Sequence, residues 1–218
     1  MLAMDILPRV QRELFPLFKQ YFMDTMGSVS FQRFLTLLPA REKLLLSSDF
    51  SEREWSQALS FAVILAATDI HITHQMEDFG FELGRYFVEE NRFVFLEQFS
   101  PPGDSGGSKK EMWGENTGSR ILNIATKIEK LLPLMNLWFD PITFKLDERI
   151  TNYEFRIHMT ERPIKIPIFC DFILGVIAGI LEMIGISDAE IMEEKCLLSG
   201  DGSCTFTVSW GEVKLEFL

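Results

Sequence analysis

The sequence predicts an α+β fold: a helical N-terminal half packed on a small antiparallel sheet of hairpins, with a buried helix between the hairpins. Three observations carry this. Through the N-terminal part, apolar residues recur every three or four positions, the mark of helices that bury one face. Beyond Asp140 the period falls to two, as in strands with one face turned inward. Between the two regimes, 100–118 has no period and holds Pro101, Pro102, Gly103, Gly106, Gly107, Gly114 and Gly118. The expected organisation is a helical subdomain (1–99), a glycine-rich loop (100–118) and an α+β subdomain (119–218), together one domain.

Ile6 to Met26 carries Val10, Leu14, Phe15, Leu17, Phe18, Tyr21 and Phe22 at helical spacing, with Pro16 expected to kink or restart the helix. Ser28 to Leu38 reads as a short helix capped by Ser28 or Ser30. Ser51 followed by Glu54 forms a capping box before a helix from Trp55 to about Thr68, apolar on nearly every side and so buried. A long amphipathic helix is expected from Ile72 to Phe99, with Gly80 and Gly84 spaced to let another helix approach closely. After the glycine-rich loop, Arg120 to Met135 reads as a helix. Ile142–Leu146 and Tyr153–Met159 alternate as a hairpin. A buried helix runs from Ile168 to Ile184 and stops at Gly185. Glu190–Leu198 and Thr205–Trp210 form a second hairpin, and Val213–Leu218 offers a last strand.

Composition narrows the function. The chain has 218 residues, 47% of them apolar, enough for one large core without staples. Its net charge of −11 disfavours phosphate backbones, so direct nucleic-acid binding is not expected. Lys165, Asp171 and Glu182 interrupt the most apolar window, so no membrane span is expected. Three cysteines make no disulfide framework, which suits a reducing cytoplasm. The 20 Phe against 3 Tyr and 4 Trp suit a wide, dry interior.

The three cysteines, Cys170, Cys196 and Cys204, lie close in sequence, and Glu193 precedes Cys196 by three residues. Three thiolates and a carboxylate are enough for tetrahedral zinc. Cys196 and Cys204 flank a tight turn, and Cys170 opens a helix, where the dipole favours a thiolate. Glu194 is the fallback for Glu193. On donor chemistry alone, three ordinary buried cysteines remain an equal reading. His71 and His74, three apart at a helix end, lack a third donor.

The string Cys170…Gly175…Gly179…Gly185…Glu193-x-x-Cys196-x-x-x-Gly200-Asp201-x-x-Cys204-x-Phe206 resembles the C-terminal half of the 4-vinyl-reductase-type small-molecule-binding domain. Zinc-binding members of that family space their ligands as Cys170, Glu193, Cys196 and Cys204 are spaced here. The remainder resembles the related H-NOX (heme-nitric oxide/oxygen-binding) domain in the order of its elements and in the glycine helix Leu174-Gly175-Val176-Ile177-x-Gly179. H-NOX heme binding uses an axial histidine on the helix before the ribbon and a Tyr-x-Ser-x-Arg clamp. Arg120–Met135 holds no histidine, and the nearest clamp is His158-Met159-Thr160-Glu161-Arg162. The resemblance therefore implies a zinc-binding, heme-free sensor domain.

The expected function is small-molecule sensing in signalling, beside a structural zinc and without catalysis. The ligand is small and apolar. Trp113 in the loop, Trp138 and Phe139 at the helix-to-ribbon junction, and His158 as one polar contact are the candidate pocket. The partner is a signalling protein or effector domain, and a homodimer is admitted. The alternatives are a heme-based gas sensor, a zinc-thiolate redox sensor, and an accessory enzyme of reductase type.

Overall fold

The computed structural model describes residues 8–48, 55–72, 76, 78–97, 126–147, 154–186 and 188–210. A short strand, β1 (Arg9–Gln11), leads into α1 (Leu14–Leu37). Pro16 is the third residue of α1 and causes no kink. In a first turn its missing N–H would have had no intrahelical partner anyway. The break falls instead at Gly27 (φ 82°, ψ 160°), a backbone conformation costly for any residue with a Cβ. Helix α2 (Ala40–Ser47) follows. The Ser51 capping box lies outside the described residues.

The helix expected from Trp55 begins later. Trp55–Gln57 form β2, paired antiparallel with β1, and α3 runs over Ala58–Ile72. The single helix expected from Ile72 to Phe99 is corrected to α4 (Phe79–Glu90) and α5 (Arg92–Glu97). They part at Asn91, whose side-chain amide donates to the Phe87 carbonyl at 2.8 Å and so competes with continued helix. Helix α6, described over 126–131, passes into a 3₁₀ turn at Leu132–Leu137 rather than continuing, because Pro133 supplies no N–H.

Strand β3 (Phe139–Asp140) pairs with the other edge of β1, and Arg9 forms an ion pair with Asp140 across that pairing. This three-stranded sheet, in the order β2-β1-β3, joins the two sequence halves. The second sheet holds both expected hairpins, but the strand expected to reach Leu198 stops at Lys195 before a 3₁₀ turn, and the last strand expected at Val213–Leu218 lies outside the described residues. Strands β4 (Thr143–Leu146), β5 (Glu154–Glu161), β6 (Glu190–Lys195) and β7 (Cys204–Ser209) lie in the order β4-β5-β7-β6, all antiparallel. Between the hairpins runs the buried helix α7 (Pro167–Met183). Pro167 opens it, and Gly185 stands just beyond its end at φ 91°.

The core is aromatic. Phe15, Phe18, Phe22, Phe34, Phe61, Phe79, Phe87, Phe139, Phe169 and Phe172 are all fully buried. Burial of each such ring contributes about 1.5–3 kcal/mol. Helix α4 presses against α7 through glycine on both sides. A Cβ on Gly84 would overlap the Phe172 carbonyl, and one on Gly175 would overlap that of Phe81. Among the described residues, no helix is long and apolar enough to cross a membrane.

Candidate metal centre

The first turn of α7 and the β6–β7 hairpin meet at one corner of the fold. Cys170 points there from α7, Glu193 from β6, and Cys196 and Cys204 from either end of the hairpin connection. Their ligand atoms all lie within 4.8 Å of one another. The connection is wound tightly. Ser199 N–H donates to the Cys196 carbonyl at 2.9 Å, Gly200 sits at φ 93°, and the Asp201 carboxylate accepts the Cys196 N–H at 3.0 Å. This winding turns both sulfurs toward Cys170.

The geometry fits a tetrahedral cation. Cys196 Sγ lies 3.7 Å from Cys170 Sγ and 3.9 Å from Cys204 Sγ. Zinc–sulfur bonds of ~2.3 Å at tetrahedral angles place sulfurs about 3.8 Å apart. Glu193 Oε1 is buried and has no hydrogen-bond partner, a cost that a cation would remove. Three thiols and a carboxylate in this arrangement can hold a metal ion.

Two groups tune the sulfurs. Leu197 N–H donates to Cys204 Sγ at 3.3 Å. The Arg162 guanidinium, 5% exposed, places Nη1 3.1 Å from Cys170 Sγ and 3.6 Å from Cys204 Sγ. A hydrogen bond from the Cys170 thiol, helped by the Leu197 N–H, holds Cys204 down to about 7. The same sulfur–sulfur hydrogen bond, together with burial, pushes Cys170 up, and burial raises Cys196. One thiolate is thus favoured before any metal arrives. Sequence reasoning missed Arg162 as part of this cluster. Arginine is not a metal ligand, and its position eight residues before Cys170 has no recognisable signature.

The three pocket candidates among the described residues do not converge. Trp138 packs its ring against Phe87 and Phe95, with centroids at 4.9 and 5.6 Å. Phe139 is fully buried against Phe169 and Phe172, at 5.4 and 5.8 Å. His158 lies on the opposite face of the sheet from that core, because its neighbours Ile157 and Met159 take the inward positions of β5. Its Nδ1 is 3.1 Å from Thr205 Oγ1, and its Nε2 is 3.7 Å from an Asp147 carboxylate oxygen. Trp113 lies outside the described residues. The apolar groove near these elements, about 580 Å³, runs elsewhere, between Pro8, Leu59, Ala62, Ile164 and Ile166.

Neither histidine among the described residues faces the interior. His71 is exposed at the end of α3, His158 faces outward, and His74 lies outside the described residues. The clamp-like triplet is dispersed. His158 is engaged with Thr205, Thr160 is exposed, and Arg162 is turned into the sulfur cluster. Between the helices and the sheet the rings of Phe139, Phe169 and Phe172 pack against one another.

No protein-family model matches the sequence, and no curated protein matches it. Solved structures do. An unliganded Fe(II) H-NOX protein from K. algicida is similar with a TM-score of 0.59 at 14% identity, over 95% of this chain and 100% of that one. An H-NOX protein from S. oneidensis in the Fe(II)NO state gives 0.57 at 11% identity, over 92% and 99%. The IWP-051-bound H-NOX from Shewanella woodyi gives 0.51 at 16% identity, over 95% and 97%. Identities this low speak to architecture alone: the chain has an H-NOX-like fold along nearly its whole length.

Proposed function

We propose that this chain is a heme-free sensory domain in signalling, built around a structural zinc ion held by Cys170, Glu193, Cys196 and Cys204. The observation that carries the reading is the convergence of four donors from three elements onto one point, with sulfur separations suited to zinc. Three thiolates and a carboxylate close the coordination shell. The ion would therefore tie the hairpin to α7 rather than activate water. The domain acts by binding and signalling, not by catalysis.

The signal is a small, largely apolar molecule, and the recipient is a partner protein or effector domain. The ligand enters the aromatic interior near Trp138 and Phe139. Because rings pack closely around both residues, entry displaces them, and ligand affinity is coupled to conformation. Displaced rings at the meeting of the two sheets are a direct route from ligand to surface.

A second reading is a heme-based gas sensor. It is favoured by the whole-length likeness to H-NOX structures, and opposed by the close ring packing and the dispersed clamp. Native mass spectrometry with metal analysis on the full chain separates the two. One zinc per chain and no heme is the expected result. Well under one metal equivalent, with all three thiols freely titratable, removes the zinc reading. A stoichiometric Soret band moves the assignment to the gas sensor.

A further inference from the structure

We infer that Arg162 is the positioning residue of the cysteine centre, screening Cys170 and Cys204 and leaving Cys196 as the sulfur open to attack. The inference rests on the zinc reading above.

Arg162 follows directly on β5 and is almost wholly buried. A guanidinium cannot shed its charge, so burial demands an anionic neighbour. The two sulfurs are the partners its Nη1 reaches, and Nη2 is buried with none. The charges of the centre require a cation as well. Three thiolates and a carboxylate carry four negative charges, zinc neutralises two, and Arg162 offsets a third.

The screening is one-sided. Cys196 is half-buried and meets the other two sulfurs, Glu193 and the Leu198 backbone, not the guanidinium. Hydrogen bonds to a thiolate draw off the electron density that makes it nucleophilic. Burial also keeps reagents from Cys170 and Cys204. An electrophile therefore reaches and consumes Cys196 first.

The test uses the zinc-loaded full chain and limiting iodoacetamide. A cysteine sulfur displaces iodide, forming one S–C bond, and peptide mapping locates the adduct. In the wild type the first adduct is expected on Cys196. Arg162→Met keeps the side chain's bulk but removes the charge and the donors. Adducts should then spread to Cys170 and Cys204, and zinc affinity, read by chelator competition, should fall about 10–100-fold. Arg162→Lys restores the charge and should recover most of the affinity.

A first wild-type adduct on Cys170 or Cys204 overturns the inference. So does a folded Met variant with wild-type adduct order and affinity within about threefold. Should circular dichroism show the Met variant unfolded, Arg162→Gln decides, because it keeps an amide donor but loses the charge. Labelling of Cys170 or Cys204 must then rise at least about threefold, and unchanged labelling refutes the role. A wild-type chain that takes up no zinc removes the zinc reading. On such a chain the inference falls together with the reading it rests on.

Discussion

Gly84 on α4 rests directly on the backbone of Phe172 on α7. A methyl group at Gly84 would overlap the Phe172 carbonyl and stand 2.8 Å from the Val176 nitrogen. Backbone cannot yield as a side-chain tip can, so Gly84→Ala should separate the two helices. A loss of about 3 kcal/mol is expected in urea unfolding. Gly202→Ala, where a Cβ meets nothing within 4 Å, should stay within about 0.5 kcal/mol of the parent. Equal losses at the two sites would contradict the close packing.

Cys196→Ser should lower metal content and loosen the β6–β7 hairpin, since binding to a site that exists only in the folded chain stabilises that chain. The expected loss is about 2–3 kcal/mol, a fall in melting temperature of roughly 4–12 °C for a chain of this size. A strong chelator added to the parent protein should reproduce the shift. Unchanged melting after complete metal removal would show that the corner is held by packing alone.

Tyr21 sits against Phe79 and Tyr86, and burial, with Glu82 nearby, pushes its phenol up to about 12. The folded state therefore holds this proton more tightly than the unfolded chain, whose phenol ionises near 10. The stabilisation is fully present below that pH and is lost as pH climbs toward about 12. Urea midpoints across this window should fall more steeply for the parent than for Tyr21→Phe. Parallel slopes would exclude Tyr21 as the source.

Phe139→Ala removes a ring packed against Phe61, Phe87, Phe169 and Phe172. Among rings so closely packed the cost is about 3–5 kcal/mol, and the resulting cavity should bind benzene-sized ligands that raise the melting temperature. A loss under about 1 kcal/mol would mean that Phe139 lines open space in the parent protein.

The second half of the fold was more legible than the first, for physical reasons. Strands β4 to β7 alternate over four to eight residues, long enough for a period of two to register. Strands β1, β2 and β3 have two or three residues each and carry no period, so the sheet that joins the halves was invisible. The break at Asn91 depends on which hydrogen bond its side chain makes, and a hydrophobic pattern does not record that. The convergence of the cysteines could be anticipated because hairpin topology brings its two ends together. Arg162 reaches them only through the path of the chain after β5. Trp138 and Phe139 stand where the 3₁₀ turn meets β3, but whether a junction is hollow depends on how its rings interlock. His158 sits one residue from the inward-facing positions, and that parity alone places it on the other face of the sheet.

Both neighbours of strand β1 lie later in the chain and are made after it. β2 begins at Trp55, and β3, whose Asp140 binds Arg9, lies 131 positions further along the chain. Until β3 is synthesised, one side of β1 shows unpaired amides and carbonyls, the kind of edge that recruits other chains. A nascent chain that stops short of β3 can wind its helices but cannot close this edge. Native assembly must therefore wait for a long-range contact that forms slowly. In the cell, the helical half would be most exposed to chaperones and to mispairing during translation, before the sequence that completes its small sheet has emerged.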